Sequence, residues 1–442
     1  MMKRLMVLLA VCALLAGACG GGGQGTAKTV NPSGSHAPVT LNVWSFYSGR
    51  EWNQYNSVLA DFQKLYPWIT VKHTPGKSDQ DFVRGINGNI PFDLAISPGP
   101  DSVGLFCSSQ AFLDLAPYLK TDGIDLPKVV PPAALRYTSY EGDQCTLPVL
   151  SDAYGLYYNL DLFKKAGISS PPKTLTELAA DAQKLTVKDP DGTIKIAGFV
   201  PLSTFYESYA LYYGDFTGSK WYDENGKSAF ATDPSWAQLL EWEKSLVDWY
   251  GYENLQRFIG ALGGPDSEWS AAHGFEVDKI AMILDGEWRI AFIDNDKSKV
   301  NYATAPFPVA DDRPDLYGAG QIGGDVVGIP RTSEHPAEAW LLLKYLALDT
   351  QAEVKLATIL KNVPTTYDSL KDPGLSSNEH FKTFLDIFAN PNSGFKPLTT
   401  IGTADEDLWL AFLAKWEAGK VTDLQAGLQE TAVNIDKQFQ LG

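Results

Sequence analysis

Aromatic and acidic side chains set beside glycine- and proline-rich turns are the parts of this sequence with chemistry to offer. Trp44, Tyr47 and Ser48 follow the alternating apolar segment 39–43, Asp101 closes the turn Ser97-Pro98-Gly99-Pro100, and Trp288 follows Asp285-Gly286 after the apolar run 280–284. Gly323-Gly324-Asp325 precedes a further apolar run at 326–329, and its glycines allow backbone to approach a ligand, or to make a tight structural turn. Covalent catalysis has less support: the chain has no nucleophile elbow, no HExxH pair and no phosphate loop. The five histidines are scattered and none stands at a ligand spacing from a cysteine, so neither a metal nor another cofactor is expected.

The four cysteines sort by position. Lys3 and Arg4 begin a leader whose apolar run, 6–15, is about half the ~20 residues a membrane-spanning helix needs, which predicts an export signal over 1–18. Cys12 leaves with that signal. Cys19, after Ala16-Gly17-Ala18, resembles the acylated cysteine of a bacterial lipobox, with Ala16 where leucine is usual. The glycines that follow and the polar stretch to residue 38 predict a flexible tether over 19–38, so the protein is expected to be held to a membrane by lipid. Cys107 and Cys145 remain, and in an oxidising compartment they are expected to pair, worth about 3–4 kcal/mol by loop closure. The formal net charge of -17 argues against nucleic acid and anionic head groups as partners.

The elements that must position these residues alternate between strand and helix. Strands are expected at 39–44, 69–71 and 92–96, with helices at 51–66 and 81–87, which predicts a mainly parallel sheet with crossover helices. Ligands on such sheets meet the loops beyond the strands' carboxyl ends, here 44–48 and 98–102. A second α/β lobe is expected to open with a strand at 151–159. It continues with a helix whose start, Thr174-Leu175-Thr176-Glu177, reads as a capping box. Helices at 236–250, 336–349, 351–361, 405–417 and 422–438 complete the chain.

Several of these segments together resemble the sugar-binding solute receptors of bacterial ABC importers related to maltodextrin-binding protein. The resemblance rests on Leu156-Tyr157-Tyr158-Asn159-Leu160-Asp161-Leu162-Phe163, on Pro172-Lys173-Thr174-Leu175, on Met282-Ile283-Leu284-Asp285-Gly286-Glu287-Trp288 and on Tyr302-Ala303-Thr304-Ala305-Pro306. It implies an α/β, two-lobe periplasmic-binding-protein fold of type II, with a ligand cleft and three interlobe crossings near 146–151, 305–308 and 363–367. Lobe 1 then takes 39–147 and 307–363, and lobe 2 takes 151–304 and 367–442.

The resemblance also implies a carbohydrate ligand, an ABC permease as partner, a monomer, and a place on the outer face of the cytoplasmic membrane. Sugars present apolar C–H faces and a rim of hydroxyls, which flat aromatic rings and carboxylate acceptors complement. By similarity Trp288 is a stacking platform and Asp101 and Asp152 accept sugar hydroxyls. Tyr206 is an aromatic contact, with Phe205 and Tyr209 equally placed, and Trp409 is a late platform or a buried residue among Leu408, Leu410 and Phe412. Trp44 is expected as a cleft wall. A secreted glycoside hydrolase, or a receptor for a polyamine or other cation, would use the same residue types.

Overall fold

The computed structural model describes residues 27–441 apart from Thr204 and 209–212. The export signal and Cys19 therefore lie outside the described residues. The later part of the expected tether lies against the protein: Ala27 and Val30 pack on the core and His36 stacks on Trp68 at 4.1 Å.

Strand β1 (Val39–Ser45) buries Leu41, Val43 and Ser45 on one face, as strict alternation dictates. Helix α1 (Gly49–Leu65) follows and presents Tyr55, Val58, Leu59 and Phe62 to the core at helical spacing. It ends where Pro67 cannot continue a helix. Next come β2 (Ile69–Thr74), α2 (Asp79–Asn87), capped by a reciprocal Ser78–Asp81 pair, and β3 (Leu94–Ser97). Strands β2, β1 and β3 are parallel neighbours. The sheet departs from the parallel expectation beyond β3, where the next strand, from late in the chain, runs antiparallel to its neighbours on both sides; one of these is β4 (Leu147–Asn159), which does not stop in this lobe.

That one strand is the backbone of both lobes. Its first half, Leu147–Ala153, pairs with a later strand of lobe 1, and Tyr154–Asn159 pairs on both edges in lobe 2. Lobe 2 carries helices α3 (Leu175–Leu185) and α4 (Pro234–Tyr250), strand β5 (Met282–Gly286), helix α5 (Arg289–Asp296) and strand β6 (Tyr302–Ala305). At the start of α3, Thr174 accepts from Glu177 N–H at 3.2 Å and the Glu177 carboxylate accepts from Lys173 N–H at 2.7 Å.

The chain returns to lobe 1 later than expected. Residues 306–321 stay on lobe 2, where Val309 N–H donates to Lys173 O at 3.0 Å and Ala310 N–H to Phe216 O at 3.2 Å. Lobe 1 resumes only with β7 (Ile322–Gly328), antiparallel to both β4 and β3, then α6 (Pro336–Leu348), α7 (Thr350–Leu360) and the short β8 (Val363–Pro364) on β4. Near the expected third crossing, Thr365, Thr366 and Ser369 all bond the buried Glu353 of α7. The chain ends with α8 (Ala404–Glu417) and α9 (Leu424–Leu441).

Cys107 and Cys145 form a disulfide within lobe 1, with Cα atoms 5.4 Å apart. No helix among the described residues is long and apolar enough to cross a membrane.

Candidate ligand-binding cleft

A cavity of about 660 Å³ lies between the lobes, within the ~300–1,000 Å³ typical of small-molecule sites. The loop after β1 supplies Phe46, Tyr47 and Ser48, the first turn of α1 supplies Arg50 and Glu51, and the turn after β3 supplies Pro98 to Asp101. The opposite wall is lobe 2: Tyr154 of β4, Tyr206, Trp269, and Trp288, Phe292 and Asp296 around α5. The last three recur at four-residue spacing, which places them on one helical face.

The floor is the hinge. Asp152 of β4 faces Gly323 of β7 in register, with Asp325 two residues on. Asp152 accepts from Asn362 Nδ2 at 2.7 Å, the Tyr47 hydroxyl donates to Asp325, and Glu287 just behind accepts from Ala153 N–H at 2.8 Å. Burial pushes the Asp152 carboxyl up to about 7, with the Asn362 bond opposing it. Burial also raises Asp325 and Glu287 well above the ordinary carboxylate range, reinforced in both by the nearby Asp152. Glu51 is raised by burial too, against the pull of Arg50. Asp152 is thus poised between acceptor and donor near neutral pH, a suitable lining for hydroxyl groups that do both.

Trp288 is 8% exposed, meets Tyr154 edge-on at 5.2 Å, and lies over Gly286, where a methyl would sit 2.1 Å from the indole. Its Nε1–H has no partner within the protein among the described residues. Trp269, 51% exposed, stands at the mouth and meets Tyr206 edge-on at 5.2 Å.

The cleft brings together Tyr47, Ser48, Asp101, Asp152, Tyr206, Trp288, Gly323, Gly324 and Asp325. It does not include Trp44 or Trp409. Trp44 belongs to β1 itself, stacks on Phe92 at 4.3 Å and lies against Gly85 of α2. Trp409 is fully buried, stacked on Phe230 at 4.1 Å and edge-on to Trp236, so it is core and not a platform. Gly324 has a structural reason: φ is +127° and an added Cβ would meet Leu150 O at 2.3 Å. Gly323 has room, its nearest neighbour being Pro100 at 3.5 Å.

Sequence reasoning passed over several cleft residues. Arg50 and Glu51 open the helix that follows the loop already singled out, and Phe292 and Asp296 follow Trp288 by helical period, so both pairs had a signal. Lys396, Glu406, Trp269, Gln321 and Asn362 had none, since only the fold brings them to the cavity. Arg50 also ties the lobes: Nη1 donates to Ala291 O at 2.8 Å and the guanidinium lies 4.0 Å from the Phe292 ring centre.

Residues 52–353 match the family described as bacterial extracellular solute-binding protein. The chain belongs to that family. Among similar proteins, a probable ABC transporter-binding protein of Deinococcus radiodurans is 25% identical over 299 residues, covering 63% of this chain and 67% of its own. A maltooligosaccharide ABC transporter solute-binding lipoprotein of Streptococcus pneumoniae is 27% identical over 379 residues, covering 80% and 78%. The solved structure of CpMnBP1 with mannotriose bound superposes with a TM-score of 0.81 at 27% identity, covering 89% of this solute-binding protein and 99% of that chain.

Proposed function

We propose that this solute-binding protein captures a sugar between its lobes and delivers it to the permease of an ABC importer. The observation that carries the reading is the cavity itself, in which rings from both lobes face one another across a floor of buried carboxyls. Stacking faces for C–H surfaces and acceptors for hydroxyls are what a neutral saccharide needs. The similar proteins named for maltooligosaccharide and mannotriose support the same class. Acylation at Cys19 would keep the receptor beside its transporter; a Cys19→Ser variant, expressed in a bacterial host, should appear in the medium instead of the membrane fraction.

A cationic solute is the second reading, favoured by six carboxylates lining the cavity against Arg50 and Lys396. Calorimetric titration of the protein without its leader, against mannobiose, mannotriose, maltose, maltotriose and spermidine, separates the two. Saturable binding of a saccharide recovered unchanged supports the proposal. Binding of spermidine alone overturns it, and recovery of a cleaved sugar replaces it with a hydrolase.

A further inference from the structure

Lys396 is 5% exposed and its single charge stands among three carboxylates. Its Nζ lies 2.7 Å from Glu406 Oε1, 2.9 Å from Asp405 Oδ1 and 3.9 Å from Asp101 Oδ1. These acids come from opposite sides of the cleft. Asp101 ends the turn after β3 in lobe 1. Asp405 and Glu406 open α8, which is anchored in lobe 2 by Trp409 on Phe230 and by the Tyr222 hydroxyl donating to Asp405 at 2.5 Å.

Lys396 itself rides on a segment that leans on lobe 1. Arg136 Nη2 donates to Ser393 O at 3.0 Å, Phe395 meets Tyr137 edge-on at 5.8 Å, and Thr399 lies so close over Gly104 that an added Cβ there would sit 2.2 Å from its carbonyl. The ammonium therefore spans the lobe boundary, and two of its three acids, Asp101 and Glu406, line the cavity. Removing the cation would leave the buried Asp405 and the mostly buried Glu406 facing the part-exposed Asp101 with no counter-charge between them, where like charges repel.

We propose that Lys396 is a positioning residue that assembles Asp101 of one lobe and Glu406 of the other at a single edge of the cleft, through a bridge completed only when the lobes close. The proposal rests on the sugar-binding reading, which makes those two acids ligand-facing. Opening the lobes separates Asp101 from Glu406, so the bridge ties ligand contact to closure. On this account Lys396, itself at the cavity edge, acts through the carboxylates it places.

The test uses the protein without its leader, native disulfide intact, with spin labels at Lys128→Cys in lobe 1 and Glu224→Cys in lobe 2, both exposed positions. Mannotriose and maltotriose are the probes. Lys396→Gln is expected to weaken binding by about tenfold or more and to keep a long interlobe distance at sugar concentrations that close the unmodified protein, while Lys396→Arg retains affinity within about threefold. A parallel arm needs no variant at position 396: acetylation of Lys396, followed by mass spectrometry, should be rapid without sugar and strongly slowed with it. Closure of Lys396→Gln at the unmodified protein's sugar concentration would overturn the proposal, as would acetylation indifferent to sugar. The second arm decides the matter if Lys396→Gln does not fold. Failure of the parent reading looks different: no sugar then changes the interlobe distance even in the unmodified protein, and the proposal falls with it.

Discussion

Gly286 offers a sharp test of the Trp288 platform. An added Cβ would lie 2.1, 2.2 and 2.5 Å from indole atoms Cζ3, Cη2 and Cε3. Carbon atoms settle at about 3.5–4.0 Å, so in Gly286→Ala the ring must retreat by roughly 1 Å or more. Three atoms of one rigid plane are involved, which leaves no small rotation that relieves them all. The displaced indole also loses its edge-on seat on Tyr154. Overpacking of this kind costs about 1–3 kcal/mol of stability. Losing an aligned stacking face is worth about 0.5–1.5 kcal/mol in binding, or roughly 2- to 12-fold in Kd. Urea melts should record the first loss, and calorimetric titration with mannotriose and maltotriose the second. Gly260→Ala is the control: nothing lies within 4 Å of its added methyl in the last turn of the helix Tyr252–Ala261, so neither stability nor affinity should fall. If Gly286→Ala shows a shifted tryptophan emission and yet binds sugar with unchanged Kd, the assignment of Trp288 as a cleft platform is refuted.

The remaining expectations concern the core, the bridge and pH. Trp409→Ala should cost about 3–5 kcal/mol in urea melts while the folded fraction binds sugar as before, because Trp409 is buried away from the cleft. Replacing Cys107 and Cys145 together by Ala should destabilise lobe 1 by about 4 kcal/mol from their separation of 38 residues, with Kd preserved. Asp152 and Glu276 are both raised to about 7, so from about pH 4 to 7 the folded state holds protons that the unfolded chain has released, and their contribution to stability falls across that range and levels off above it. The half-buried His73 and the buried His273, lowered to about 3, act in the opposite direction below about pH 6.5, so the net decline is read from about pH 6.5 to 7.5. Asp152→Asn should flatten the decline of melting temperature above pH 6.5, and an unaltered slope would count against the hinge carboxyl as its source.

Local features of the chain were legible where short-range physics governs them. Alternation placed β1, helical spacing placed α1 and α3, and Pro67 ended α1, because each depends on neighbours a few residues away. The loops after β1 and β3 were identifiable as cleft loops by the same logic, and Trp288 by its place after a buried strand. Trp44 and Trp409 show the limit. Aromatic rings look alike in sequence whether they face a ligand or fill a core, and only the packing of Phe92 and Phe230 against them decides. The course of β4 through both lobes, and the return to lobe 1 at residue 322 as an antiparallel strand, depend on pairings between distant segments. The charge cluster at Lys396 is of the same kind: Asp101 is nearly three hundred residues away in sequence and 3.9 Å away in space. Local patterning along the chain specified the main strands and helices, the family pattern and the residue types of a sugar-compatible cleft. The tertiary structure alone decided which rings and acids meet there, because long-range burial and charge pairing exist only once the lobes have folded together.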